Sequence, residues 1–414
     1  MKRIYLCLAH MSETGMEQKY IQEAFDTNWV VPLGPNVNAF EQELKDYHGG
    51  EKPVVALSSG TAAVHLALIA AGVQPGDEVL VQSFTFCASS NPIVYVGAKP
   101  VFVDSETETW NMDPELLEHA IIDRIKVTGK KPAAIMLVYL YGMPAKIRQI
   151  KAVADKYEIP LIEDAAEGFG STYDGHKVGT FGQYGILSFN GNKMITTSGG
   201  GALICPDEEA RQKVMWLATQ AREGYPYYQH EAIGFNYRMS NICAGIGRGQ
   251  MTIIDQHIRH HRHIAKLYQE AFKDFEGITY HSETDEAGMQ SNYWLSTILL
   301  DPKLRVKGEE HAYSQTITGA VGGAAGTVHA SQDTHTDCEP NNNVEAMRMA
   351  LDKEDIESRP LWKPMHKQPV YKQATAYVNG NSEKIFKQGL CLPSGPMVSD
   401  QDVKRIIETI KSLA

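Results

Sequence analysis

The chain predicts an α/β fold: a large, mostly parallel sheet covered by helices on both faces, followed by a smaller α+β unit. Three observations carry this. Short apolar runs alternate with helix-like segments through the first half of the sequence, as βαβ units require. The residues with chemistry to offer sit at the carboxyl ends of those runs, where open α/β sheets keep their ligands. At 414 residues the chain is longer than one core sustains, so two domains are expected, at 1–255 and 256–414.

With 43% hydrophobic and 21% charged residues, the composition is that of a globular protein. A formal net charge of −11 argues against general affinity for nucleic acid while leaving room for a local basic pocket. Six scattered cysteines (Cys7, Cys87, Cys205, Cys243, Cys338 and Cys391) form no C-x-x-C pair. Structural zinc and redox centres are therefore not expected, and a reducing cytoplasm is. The amino terminus has a basic start but too short an apolar run for a secretory signal. Pro53–Gly76 is long and charge-free, yet Ser58-Ser-Gly-Thr61 and His65 interrupt it, and it divides into a strand and a helix rather than a membrane span.

Residues 16–48 read as two helices separated by Asn28-Trp-Val-Val-Pro-Leu-Gly-Pro35, where two prolines and a glycine forbid regular helix. Trp29 in that loop suits an exposed substrate wall and a surface loop with a buried tryptophan equally. Val54–Leu57 is expected as a strand, Ser58-Ser-Gly60-Thr61 as a turn, and Ala62–Ala71 as a helix that Gly72 stops. A strand that feeds a glycine turn and a helix start aims free N–H groups at an anion, so Gly60 and Thr61 are candidates for holding phosphate. Neither a Walker sequence nor G-x-G-x-x-G is present, which weakens readings that need a nucleoside triphosphate or a dinucleotide. Further strands are expected at Glu78–Gln82, Pro100–Asp104, Ala133–Tyr139 and Pro160–Asp164. Helices are expected at Ala88–Val96, Pro114–Ile125 and Ala145–Tyr157, with Asp113-Pro114 as a helix start.

Asp164 ends its strand, and a carboxylate there needs a cationic partner: a protonated pyridine nitrogen, a structural arginine or a helix cap would each serve. Phe86, in Ser83-Phe-Thr-Phe, also follows a strand, where an aromatic either stacks on a flat ring or fills the core. Lys193 falls in the turn between the two apolar runs of Tyr184–Cys205. A lysine held at a strand end among small residues can be desolvated enough to form a Schiff base with a carbonyl, although an ordinary solvated turn lysine has the same local pattern. Gly234-Phe-Asn236-Tyr-Arg-Met-Ser240 mixes aromatic, amide and guanidinium groups in a way that suits binding more than packing. His257-Ile-Arg-His-His-Arg-His263 brings no carboxylate or cysteine, and reads as the solvated side of a long linking helix rather than a metal site. A Gly/Ala/Thr-rich stretch near 312–343 buries little and is expected as a long loop. Ser358-Arg-Pro-Leu-Trp362-Lys-Pro-Met-His366 makes a rigid polar-aromatic strip fit for an anionic substrate.

Together and in this order, these parts are what pyridoxal 5′-phosphate requires. Over nearly its whole length the chain resembles the DegT/DnrJ/EryC1/StrS family of sugar aminotransferases, of fold type I with a seven-stranded-type large sheet. The resemblance rests on Leu33-Gly-Pro, Ser59-Gly-Thr, Gly76-Asp-Glu-Val, Ser83-Phe-Thr-Phe, Gly97-Ala-Lys-Pro-Val-Phe-Val-Asp104, Glu163-Asp-Ala-Ala, Ser188-Phe-Asn-Gly-Asn-Lys193, Gly199-Gly-Gly, Gly234-Phe-Asn-Tyr-Arg-Met-Ser and Arg359-Pro-Leu-Trp-Lys-Pro-Met-His366.

The resemblance implies that Lys193 holds the cofactor covalently and, once released, carries the proton between the donor's Cα and the cofactor's C4′. By the same resemblance Asp164 pairs with the pyridinium nitrogen, Phe86 stacks on the ring and Glu167 sits near the ring hydroxyl. Gly60, Thr61 and Ser188 are implied to hold the phosphate, with Asn236 reaching in from a partner subunit, so that a homodimer shares its sites. Asn190 is implied to support the lysine turn, and Trp29, Trp362 and His366 match the sugar-nucleotide side. Lysine at 193, where some members carry histidine, favours transamination over dehydration. The Ser-Phe-Asn-Gly-Asn-Lys variant resembles members that aminate C4 of a UDP-linked 4-keto-6-deoxy-N-acetylhexosamine with glutamate as donor, for surface polysaccharide or glycan assembly. A 3-keto-sugar nucleotide aminotransferase and a cofactor-binding regulatory protein without turnover are the alternatives. The insert at 312–343 departs from the family's compact pattern.

Overall fold

The computed structural model of the chain describes residues 2–284, 288–312 and 338–414. Nine strands are formed before residue 205: β1 (Val54–Leu57), β2 (Glu78–Gln82), β3 (Lys99–Val103), β4 (Ala134–Val138), β5 (Leu161–Asp164), β6 (Thr172–Tyr173), β7 (His176–Lys177), β8 (Tyr184–Ser188) and β9 (Gly201–Ile204). Five more follow among the described residues: β10 (Ile278–Tyr280), β11 (Ser296–Leu300), β12 (Arg359–Pro360), β13 (Ala376–Tyr377) and β14 (Gly389–Leu392).

The large sheet has the order β1-β9-β8-β5-β4-β2-β3-β13, and β9 alone runs against its neighbours. Seven of its strands match the expected type, and the eighth, β13, returns from the carboxyl-terminal part of the chain to pair in parallel with β3. Every residue of β4 and β8 is buried, as strands covered on both faces must be. Side chains alternate between two cores. Val54, Ala56, Leu80, Val101, Ile135 and Leu137 pack on one face with Phe40, Leu44, Leu117 and Ile150 from its helices. Val55, Leu57, Val79, Val81, Phe102 and Met136 pack on the other with Leu66, Leu68 and Val214.

A second, four-stranded antiparallel sheet, β10-β11-β14-β12, packs with helices Ile254–Phe272, Asn342–Lys353 and Asp400–Leu413 around Ile264, Tyr268, Ile298, Met347 and Ile406. Most of the expected loop near 312–343 lies outside the described residues; its last two residues begin the helix Asn342–Lys353.

Three expectations are corrected here. The segment expected as a helix over Ala88–Val96 is a 3-10 turn, Cys87–Ser89, followed by a separate short helix, Asn91–Tyr95. Pro92 has no N–H to continue the earlier turn and is tolerated only in the first turn of a new helix. His257 and His261 do not lie on a solvated face: both are buried, on the side of the helix that also presents Ile254, Ile264 and Tyr268. Each donates Nδ1–H to a backbone carbonyl, His257 to Met194 and His261 to Tyr293, both at 3.1 Å, and His261 Nε2 is left buried without a partner. Arg238, in the segment expected to suit binding, instead pairs with buried Glu41 at 2.5 Å and donates to the Ala56 carbonyl. The β6–β7 hairpin was not anticipated, although Asp174-Gly175, both at positive φ, is the turn pair that closes such hairpins.

Candidate active site

The carboxyl ends of β5 and β8 and the connection from β8 to β9 converge on one buried place. β5 ends at Asp164, beside β8 in register with Ile186, and β8 leads through residues 189–200 into β9 with Ser188 opposite Gly201. Lys193 stands in that connection, where its N–H donates to the Asn190 carbonyl at 2.9 Å and tightens the turn.

Asp164 is buried and has two hydrogen-bond donors. Ser89 Oγ donates to its Oδ2 at 2.7 Å and the Ala166 N–H to its Oδ1 at 3.1 Å, while Ser89 and Thr85 share a further bond at 2.9 Å. Burial pushes the Asp164 carboxyl above the usual carboxylate range, and Ser89, Ala166 and the nearby Lys193 pull it back. Glu167 is buried too; it accepts the Tyr141 N–H at 2.7 Å, and the Lys193 ammonium lies 3.4 Å from its Oε1. Desolvation raises its pKa and Lys193 is the largest opposing influence. Lys193 Nζ also lies 3.9 Å from the centroid of the Trp294 ring.

Next to this group is a cradle shaped for an anion. The Ser59 hydroxyl caps the helix Gly60–Ala70 by accepting the Ala62 N–H, which leaves the N–H groups of Gly60 and Thr61 to point beyond the helix start. A Cβ on Gly60 would sit 3.0 Å from Ser188 Cβ, and one on Gly201 would sit 2.4 Å from the Gly60 nitrogen. Only glycine at 201 lets the helix start and β9 approach this closely, and at Gly60 a Cβ would press on Ser188. A buried carboxyl, a lysine, and a phosphate-sized cup of N–H groups and a hydroxyl are the donor set that pyridoxal phosphate takes, so the residues present fit it.

On the open side, half-exposed Phe86 lies 5.2 Å from Trp362; Trp362 stacks on Tyr141, and Tyr141 on Trp294, in one aromatic row that reaches Lys193. His366 Nδ1 is 2.7 Å from Ser83 Oγ, just before Phe86, and burial lowers its pKa. Three candidates stand outside this cluster. Trp29 is exposed and is held through its backbone to Ala24 and Asn241. Asn190 and Asn236 present exposed side chains, and Asn236 pairs by backbone with Thr219.

Sequence reasoning missed Ser89, Tyr141, Asn292 and Trp294. Ser89 lies three residues beyond Phe86, just past the Ser83-Phe-Thr-Phe motif already singled out, and was within reach. The others come from distant segments, so no local pattern marks them. A groove of 460 Å³ lined by Glu78, Tyr95, Lys99 and Tyr371 opens at the opposite, amino-terminal ends of β2 and β3, away from this site. Among the described residues, no three His, Cys, Asp or Glu are placed to hold a metal ion, and no helix is long and apolar enough to cross a membrane.

The model of the DegT/DnrJ/EryC1/StrS aminotransferase family matches residues 12–321 and 309–411. The chain belongs to that family. A relative described as a pyridoxal phosphate-dependent aminotransferase, EpsN of Bacillus subtilis (strain 168), is 44% identical over all of this chain and 96% of its own length. GDP-perosamine synthase of Escherichia coli O157:H7 is 34% identical, over 98% of each chain. A DegT DnrJ EryC1 StrS aminotransferase from Brucella abortus has the same fold, with a TM-score of 0.81, 28% identity, and coverage of 96% of this chain and 95% of that one. The protein is thus an aminotransferase of the sugar-acting DegT/DnrJ/EryC1/StrS type, dependent on pyridoxal phosphate.

Proposed function

We propose that this aminotransferase moves an amino group from glutamate to C4 of a nucleotide-linked 4-keto sugar, a UDP-4-keto-6-deoxy-N-acetylhexosamine, within surface polysaccharide or glycan assembly. The observation that carries the site assignment is the buried meeting of Lys193, Glu167 and the Ser89-bonded Asp164 beside the Gly60–Ser188 cradle.

When bound, pyridoxal phosphate supplies an electron sink for the carbon that loses its proton. The chain's own residues do the rest. Gly60 and Thr61 N–H groups and the Ser188 hydroxyl hold the phosphate, joined by Asn236 of a second subunit in a homodimer. The Asp164 carboxylate holds a proton on the ring nitrogen, and Ser89 fixes its orientation. Lys193 Nζ, kept by Glu167 and Trp294, would take the proton from the donor's Cα and deliver it to C4′ of the cofactor on the same face. Phe86 would cover the ring, and Trp362 and His366 would face the sugar nucleotide. Support for a nucleotide-linked substrate comes from the second relative, whose name is that of a GDP-sugar synthase.

The test is product analysis by NMR after incubation with glutamate and each of three ketones: the UDP-linked 4-keto sugar, a GDP-linked 4-keto sugar and a UDP-linked 3-keto sugar. Amination at C4 of the UDP sugar is expected. A preference for either of the other two would replace the proposed substrate, and failure of all three would favour a cofactor-binding protein without turnover.

A further inference from the structure

The peptide carbonyls on either side of Lys193 are each taken by a ring N–H from later in the chain. Trp294 Nε1–H donates to the Asn192 carbonyl at 2.6 Å, and His257 Nδ1–H donates to the Met194 carbonyl at 3.1 Å. A carbonyl only accepts, so the second bond fixes the His257 proton on Nδ1. Both side chains are buried. Both reach across to the one connection that carries the lysine.

We propose that Trp294 and His257 are a clamp on the Lys193 peptide, positioning residues that set where the lysine amine arrives. The inference rests on the reading of Lys193 as the cofactor lysine. A lysine amine sits at the end of a flexible four-carbon stem, so fixing its place needs the backbone held at one end and the amine at the other. Trp294 does both: its N–H holds Asn192, and its ring face lies 3.9 Å from Nζ. The residue is itself held. The hold comes through the Trp294 backbone, whose N–H donates to Asn292 Oδ1 at 2.8 Å, while Asn292 Nδ2 donates to the Glu167 and Phe169 carbonyls at 2.8 and 2.9 Å. One amide therefore ties the clamp to the segment that carries Glu167, the carboxylate facing the same lysine. On the other side, His257 Nε2 accepts from His10 Nδ1 at 3.3 Å, which anchors the ring to the amino-terminal segment. Gln250 extends the hold, accepting the Thr196 N–H at 3.3 Å and donating to the His10 carbonyl at 2.9 Å.

The experiment compares wild type with Trp294→Phe, His257→Leu and His257→Asn. Phenylalanine keeps an aromatic face and loses the N–H; asparagine keeps an N–H near Nδ1, and leucine keeps only volume. In the apoenzyme, acetylation of each lysine is timed by peptide mass spectrometry. In the loaded enzyme, circular dichroism of the bound chromophore reports its orientation, and kcat and KM are separated. Trp294→Phe and His257→Leu are expected to speed acetylation of Lys193 relative to the other lysines, weaken the dichroism and lower kcat about tenfold with KM little changed, the scale of one lost buried hydrogen bond. His257→Asn is expected to restore most of each signal. Unchanged acetylation and dichroism in both variants, with only a lower melting temperature, would reduce the pair to packing and overturn the clamp. Borohydride reduction of the wild-type holoenzyme separates the two failures. A cofactor mark on a lysine other than Lys193 sinks the site reading itself, whereas a mark on Lys193 with unchanged variants sinks the clamp alone.

Discussion

Asp164 is held in a place that disfavours its charge, with one hydroxyl and one amide as compensation. A bound pyridinium would reverse that balance. Asp164→Asn, equal in shape, is therefore expected to lower kcat roughly 10²–10⁴-fold, the scale of a lost proton-managing group, and the rate with saturating glutamate checks it. Ser89→Ala removes a hydrogen bond to a charged acceptor, and its expected cost of about 1.5–3 kcal/mol should appear as weaker cofactor retention in equilibrium dialysis. Three buried histidines make a different prediction. Burial lowers His48 and His281 to about 4 and His261 to about 3. An unfolded chain titrates these rings near 6.5, so their contribution to stability is complete above that pH and is lost as the pH falls toward 4. Glu163, Asp164 and Glu167 have raised values and the opposite sign, because the native chain takes up their protons first. His281→Gln keeps the donor to the Glu108 carbonyl and removes one titrating ring. Urea unfolding between pH 7 and 5 should then lose about 1.4 kcal/mol per pH unit less than wild type at the steepest part. At this scale Lys193 and Asp164 were legible because strand ends and short motifs mark them. Tyr141 and Trp294 were not, since what matters is which ring faces the lysine, and that is settled by packing of distant segments.

The helix Gly60–Ala70 and the ends of β8 and β9 meet closely in the candidate cradle, where Gly201 lacks room for a Cβ and Gly60 has little. Gly201→Ala would drive a methyl to 2.4 Å from the Gly60 nitrogen, a backbone atom that cannot step aside. Gly60→Ala meets the Ser188 side chain at 3.0 Å, which is tight but can adjust. Thermal melting and cofactor titration should therefore rank Gly201→Ala as the more damaging, with loss of both stability and cofactor binding. Gly60→Ala should mainly weaken binding. The βαβ alternation was readable because strands buried on both faces are continuous apolar runs and their helices carry clear caps, as at Asp113-Pro114. The helix Ile254–Phe272 was misread because its inner face carries histidines. A neutral imidazole donating to a carbonyl belongs in a core as well as a polar residue can.

The two sheets are tied together by residues that cross between them: β13 joins the large sheet, Trp294 and Asn292 precede β11 and hold the lysine and Glu167 segments, and Trp362 follows β12 and stacks in the aromatic row. That interlocking was invisible in the sequence, where 1–255 and 256–414 read as successive units. The exposed Asn236 motivates a prediction for the assembly. Mixing Lys193→Ala subunits with Asn236→Asp subunits should restore activity that neither variant has alone, because a hybrid dimer would contain one intact site; an inactive mixture that does exchange subunits would argue against shared sites. The central claim is tested most directly by following the bound chromophore through both half-reactions in one cuvette. With the wild-type holoenzyme, glutamate should abolish the absorbance of the aldehyde form, and the UDP-linked 4-keto-6-deoxy-N-acetylhexosamine should bring it back, while Lys193→Ala shows neither change. A chromophore that glutamate leaves untouched, or that no nucleotide-linked keto sugar restores, would contradict the account.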